Sequence, residues 1–308
     1  MSRPLYPAIF NADEAHELKW AQRPENESFY RHLLNISNEF PSILMAFSAD
    51  DGLADIAIEL GKSFIDKGIN IFLPSEATPI CAFSQSIGVR QVPLGLYLSI
   101  DKQKEMYSLA ALTNHGGPLD EQDIIDKKPE ENERHAVLGE TEYDRIYLNN
   151  LSGFADQFIE DGAGFSEIQI PFAGLEQKLR RQKELGILFT PDKNGPKAII
   201  SNDGQGLKIV DNGKELADNV ICDKIIDYLV KERRASGTVV GPAGLVEPAD
   251  ITGEIVEVDG DLYDMNYHAG FSDLLIGWWH GGIIAHQGSS CFGDGILTAL
   301  YYLEALRS

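Results

Sequence analysis

Between residues 43 and 99 the chain alternates short apolar runs with amphipathic stretches, and this alternation limits what it can fold into. Residues 43–48, 69–73 and 94–99 are apolar runs of strand length. Between the first two, Leu53, Ile56, Ala57, Leu60 and Phe64 recur at helical spacing up to Gly68. That spacing predicts a helix over 53–67, stopped by the glycine. Residues 79–88 predict a second helix, with proline at its start and glycine at its end. Apolar strands separated by amphipathic helices predict an α/β layer with a largely parallel sheet.

The second half repeats the pattern. Residues 198–201 and 207–210 flank Asn202-Asp203-Gly204, a hairpin turn by its chemistry. Residues 217–234 predict a helix with Val220, Ile221, Ile225, Leu229 and Val230 facing inward. Strands are predicted at 238–241, 254–258 and 274–276, and a closing helix at 293–306. Between the halves, Asp120 to Asp144 holds ten acids against three bases, with Pro129 and no sustained apolar period. This reads as a solvated, partly mobile connection. A helix over 141–158 and a shorter one over 175–185 follow it. With 308 residues, the chain is long enough for two α/β domains, each with its own core.

Composition excludes several classes of partner. The formal net charge is −22, which repels nucleic acid over most of the surface. The densest basic cluster, Lys231-Glu232-Arg233-Arg234, falls at a predicted helix end, where positive charge complements the dipole. No apolar run is long enough to cross a bilayer, and the first residues lack the apolar core of a signal peptide. The expectation is a cytoplasmic protein without nucleic-acid or membrane partners. Cys81, Cys222 and Cys291 are far apart and read as small buried hydrophobes in a reducing compartment. His115 sits in a His-Gly-Gly-Pro turn with no second ligand nearby, and no nucleotide-binding glycine loop occurs.

Four segments carry a family resemblance. Glu76-Ala77-Thr78-Pro79-Ile80-Cys81-Ala82-Phe83 is similar to a "PTPALAFAV" element, and Ile87-Gly88-Val89 to the "LGA" that follows it. Gly281-Gly282-Ile283-Ile284 is similar to the start of "SGGHII…TGDGILAALQLLE". The fourth segment, Gly293-Asp294-Gly295-Ile296-Leu297-Thr298-Ala299-Leu300 with Leu303-Glu304, resembles the rest of it. These elements are those of the α-D-phosphohexomutases, the phosphoglucomutase and phosphomannomutase family. The resemblance implies a domain I-like region over 1–135, a linker helix with a domain II remnant over 136–188, and a domain III-like region over 189–308. It implies mixed sheets, a reduced domain II and no counterpart of domain IV after Ser308.

At the positions of the family's chemistry the residues differ. The family carries a phosphoserine in a "TASHNP" loop; the matching positions here are Asp101 and Lys102. A carboxylate can accept a phosphoryl group, but the favoured reading is that Asp101 begins a loop or caps a turn. The family's Mg²⁺ loop, D-x-D-x-D-R, is matched with Thr190-Pro191-Asp192-Lys193-Asn194-Gly195-Pro196-Lys197, which keeps one carboxylate, Asp192. Hard dications need several such oxygens, so no metal cofactor is expected. The sugar-reading loop G-E-x-S-G becomes Gly277-Trp278-Trp279-His280-Gly281. Trp278, Trp279 and His280 are therefore the candidate ligand contacts, with core packing as the alternative for either indole. Arg234-Ala235-Ser236-Gly237-Thr238 resembles the family's phosphate loop but lies between a helix and a strand, which accounts for it.

The resemblance implies one cleft with Asp101 on one wall and Trp278–His280 on the other. Two function classes stay open. One is a binding or regulatory protein without mutase catalysis, acting through a protein partner or as a homo-oligomer. The other is a diverged sugar-phosphate phosphotransferase or sensor that uses Asp101 in place of the phosphoserine.

Overall fold

The computed structural model describes residues 8–40, 42–101, 104–119, 123–125, 135–155, 164–246, 253–258, 262–271, 273–284 and 292–307. The chain divides into two compact units, Met1–Asp144 and Arg145–Ser308.

The first unit holds β1 (Ala8–Phe10), α1 (Ala12–Ala15), two 3₁₀ turns, α2 (Glu27–Glu39), β2 (Ser42–Phe47), α3 (Leu53–Ile65), β3 (Asn70–Leu73), α4 (Ile80–Arg90), β4 (Leu94–Asp101), β5 (Met106–Thr113) and β6 (Leu138–Glu140). Its six-stranded sheet has the order β1-β5-β4-β2-β3-β6. Strands β4, β2, β3 and β6 run parallel, and β5 and β1 add an antiparallel edge. Burial follows the predicted stripe on α3, where Leu53, Ala57, Leu60 and Phe64 are buried and Ile56 is half-buried. The helix ends as its glycine requires: Gly68 takes a left-handed φ of 77°, and the Ile69 N–H reaches back to the Phe64 carbonyl at 3.1 Å.

Gly88 does not play the matching part on α4. The helix runs through it to Arg90 and stops at Gln91, which takes φ 51°. Packing is the reason: a Cβ on Gly88 would lie 3.2 Å from the His115 carbonyl oxygen, so the glycine admits a neighbouring turn. The sequence reading also lacks β1 and β5. The latter pairs with β4 over eight positions, from Leu94↔Thr113 to Asp101↔Met106.

Part of the acidic connection is tied down. Residues 120–122 and 126–134 lie outside the described residues, but Ile125 docks on α2. Its N–H donates to His32 Nδ1 at 3.0 Å, and its carbonyl accepts from Asn35 Nδ2 at 2.9 Å.

The second unit holds α5 (Asp144–Ala155), β7 (Glu167–Gln169), α6 (Ala173–Arg181), a 3₁₀ stretch (Glu184–Phe189), β8 (Lys197–Ile200), β9 (Leu207–Asp211), β10 (Lys214–Glu215), α7 (Asp218–Lys231), β11 (Thr238–Gly241), β12 (Ile255–Glu257), α8 (Leu262–Phe271), β13 (Leu274–Trp279), β14 (Gly282–Ile284), β15 (Gly293–Asp294) and α9 (Gly295–Arg307). A four-stranded sheet, β10-β9-β8-β7, and a five-stranded sheet, β12-β11-β13-β14-β15, share the unit. Helix α9 is apolar nearly all round and packs against β8, β9, β14 and α7, which makes it the central element. Its buried acid, Glu304, is paired with Arg307 at 3.1 Å and lies 3.5 Å from the Tyr228 hydroxyl, so the charge is not left alone in the core. On α7 the buried set is Ile221, Cys222, Ile225, Ile226 and Tyr228. Val220, expected inside, is 46% exposed because it sits in the first turn on the opposite face. Burial, with Asp223 and Asp218 nearby, pushes the Cys222 thiol well up, so it packs as an inert hydrophobe.

Burial holds the pKa of His32 below 6.5, and Asp123 pulls it part of the way back. The unfolded chain therefore takes up the proton first. The stability this histidine contributes is complete above about pH 6.5 and falls as the pH drops toward the depressed native value. The urea midpoint should decline as the pH falls below about 6.5. His32→Gln, which keeps an acceptor for Ile125 but does not titrate, should flatten that decline. An unchanged slope in the variant would take the role away from His32.

Candidate functional site

The chemistry-bearing stretches of the second unit meet at one junction of three backbone segments. The first is the turn between β8 and β9. Its Ser201 N–H donates to the Gly206 carbonyl at 3.0 Å, and the Gly204 N–H to the Ser201 carbonyl at 2.9 Å. Inside the turn the alternate side chains of Ser201, Asp203 and Gln205 converge. The Ser201 hydroxyl donates to Asp203 Oδ1 at 2.6 Å, the Gln205 N–H to the same oxygen at 3.1 Å, and Gln205 Nε2 to Asp203 Oδ2 at 2.9 Å.

The second segment is the hairpin between β13 and β14. The sequence suggests a glycine-framed loop over 277–281; instead Gly277, Trp278 and Trp279 belong to β13, and His280-Gly281 alone form the turn. Both turn residues have positive φ, 50° and 79°, the geometry of a two-residue hairpin that follows the twist of its strands. Strand periodicity then sends the two indoles to opposite faces. Trp278 is fully buried, with its Nε1 3.4 Å from Asp218 Oδ2 at the start of α7. Trp279 is half-buried against the cluster of Val240, Val258, Met265 and Ile284. Its ring meets the exposed His280 edge-on at 4.8 Å. Of the three candidate contacts, Trp279 and His280 retain accessible surface.

The third segment is the β15–α9 corner. Asp294 is buried, and its Oδ1 accepts from Tyr147 Oη at 2.8 Å, Ile296 N at 3.1 Å and Leu297 N at 2.9 Å. It thus caps α9 with its side chain. Direct backbone bonds join the segments: Leu207 N to the Gly281 carbonyl and Gly295 N to the Gly204 carbonyl, both 2.9 Å. Glycine is needed where they touch. A Cβ on Gly206 would stand 2.4 Å from the His280 carbonyl oxygen, and one on Gly282 would stand 1.9 Å from that of Gln205.

The other predicted positions lie elsewhere. Asp101 ends β4 in the first unit, where its Oδ1 accepts the Lys104 N–H at 3.2 Å and its Oδ2 lies 3.5 Å from Lys104 Nζ. Lys102 lies outside the described residues. Asp192 sits in the turn before β8 and accepts the Asn194 N–H at 3.0 Å. It borders a shallow polar groove of about 410 Å³ lined by Lys193, Asn194, Lys197 and Asn212. In the Arg234–Thr238 stretch, Thr238 opens β11 and donates its N–H to the Asp273 carbonyl at 2.6 Å.

Asp192 stands beside a lysine with no second carboxylate in the turn, and Asp203 is surrounded by donors. Among the described residues no group of three His, Cys, Asp or Glu could hold a metal. Ser201, Asp203 and Gln205 have the i, i+2, i+4 spacing of the acids in D-x-D-x-D-R, a signal present in the sequence but read there only as a turn.

No protein-family model and no curated protein matches this sequence. Solved structures do. A protein of Thermus thermophilus described as a phosphomannomutase matches with a TM-score of 0.69 at 15% identity, over 99% of this chain and 80% of that one. A phosphoglucomutase/phosphomannomutase family protein of Burkholderia thailandensis matches at 0.65 and 11% identity, over 98% and 76%. Parafusin of Paramecium, a phosphoglucomutase in its open form, matches at 0.60 and 11%, over 98% and 71%. The chain has a phosphohexomutase-like fold.

The junction makes opposite predictions for two glycines. Gly282→Ala should cost about 3 kcal/mol or more, because backbone must move. Gly153→Ala, in α5 with open space around its Cβ, should stabilise by up to about 1 kcal/mol. Urea denaturation of both variants checks the pair; a Gly282→Ala midpoint equal to wild type would mean the three segments are not in contact.

Proposed function

We propose that this chain is a binding or regulatory protein on a phosphohexomutase-like frame, one that has lost mutase catalysis. The observation that carries the reading is that two carboxylates, Asp101 at the position matched to the phosphoserine and Asp203 in a turn with the spacing of the family's acids, are engaged by the chain's own donors. Asp101 closes a turn with Lys104, and Asp203 gathers Ser201 and Gln205. A nucleophile or metal ligand needs free lone pairs aimed at substrate. The ligand class is a hexose phosphate, as the names of the similar structures suggest, read by Trp279 and His280 and requiring no Mg²⁺. A homo-oligomer or a protein partner in the cytoplasm is the other use of the same surface.

The second reading keeps catalysis. Asp101 ends a strand and has an ammonium 3.5 Å away, which would help hold a phosphoryl group on the carboxylate. Loss of several parts that act as a unit removes most of a rate at once, which weighs against it.

Calorimetric titration with glucose 1-phosphate, glucose 6-phosphate and mannose 6-phosphate, beside a mutase assay, separates the two. Expected are binding heat weakened by His280→Ala and no interconversion of the phosphates. Turnover abolished by Asp101→Asn would overturn the proposal in favour of the second reading. No heat from a folded sample would remove the hexose-phosphate ligand and leave a protein partner, to be sought by ultracentrifugation for self-association.

A further inference from the structure

The β8–β9 turn aims three alternate side chains at one point, and what sits at that point is a carboxylate ringed by donors. Asp203 has about four lone-pair sites, and three are filled from within the turn: two on Oδ1 by Ser201 and the Gln205 N–H, one on Oδ2 by Gln205 Nε2. The Ser201 hydroxyl is held in turn, accepting the Gly206 N–H at 2.9 Å. Gln205 completes the case. With its amide nitrogen turned to Asp203, its oxygen Oε1 is buried and accepts no hydrogen bond among the described residues. A buried orphan acceptor costs free energy. The opposite orientation would set that oxygen against the carboxylate, so the amide is oriented by the negative charge of Asp203.

We infer that Ser201 and Gln205 do for Asp203 what a divalent cation does in a turn of three acids: they neutralise the centre and hold the turn shut. The β8–β9 turn, and the His280-Gly281 hairpin bonded to it through Leu207, are therefore independent of metal. This extends the Mg²⁺-free part of the reading above, and it is tested without any sugar phosphate. The same geometry makes a converse statement. Ser201→Asp with Gln205→Asp removes both side-chain donors and points three carboxylates at one place, which creates a site for Mg²⁺ or Ca²⁺.

The experiment is thermal unfolding and calorimetry of the full chain with MgCl₂ alone and with EDTA. The wild-type Tm should be the same in both, with no binding heat. The S201D/Q205D variant should melt lower than wild type in EDTA and regain Tm progressively as Mg²⁺ is added, as linkage requires of a ligand that binds the folded state. Asp203→Asn in that background should abolish the Mg²⁺ response. A wild-type Tm that falls in EDTA, or Mg²⁺ heat lost in Asp203→Asn, would overturn the inference, because Gln205 would then be presenting its oxygen to a cation. If the double variant does not fold, Gln205→Asp alone carries the test: a Tm that rises with Mg²⁺ supports the inference, and a flat response overturns it.

Discussion

Asp294 is a carboxylate buried at the point where β15 becomes α9, and the second unit is organised around its satisfaction. Taking such a charge out of water costs several kcal/mol unless donors replace the hydration. Tyr147 and the first free N–H groups of α9 supply them. One interaction thus fixes where the central helix begins and ties α5 to it. It also places Thr298, whose hydroxyl donates to the Asp294 carbonyl and accepts the Ile283 N–H. The sheet, the hairpin and the helix that frame the candidate site all take their position from that corner.

What can be read from the sequence is what depends on local periodicity. The stripe on α3 and the strands near 43, 69, 94 and 238 follow from side-chain patterns that decide burial one element at a time. The misreadings share a cause. Gly88 has the chemistry of a helix stop, but its role is set by His115, far away in sequence. The Trp278–Trp279 pair looks like an aromatic loop until the His280-Gly281 turn is seen to close a hairpin in which both indoles lie on a strand. The turn at 201–206 is legible as a turn; that its alternate side chains meet is a property of the closed hairpin alone.

The candidate site is legible to the same degree. Sequence points to His280 and its neighbours, and the structure leaves Trp279 and His280 with open surface while burying Trp278. A fold shared at 11–15% identity fixes the path of the backbone and says little of the chemistry carried on it. On that path, polar side chains in the turns are paired with one another, as Asp101 and Lys104 are. Such internal pairing satisfies the polar atoms of a turn within the chain.

The junction of the β8–β9 turn, the β13–β14 hairpin and the β15–α9 corner is made of backbone on backbone, with glycine wherever two of the segments cross. Side chains can swing aside to let one layer loosen; peptide planes in contact cannot. Moving one segment therefore moves backbone of the others, and amide protons at the crossing points are expected to reach solvent through a shared opening.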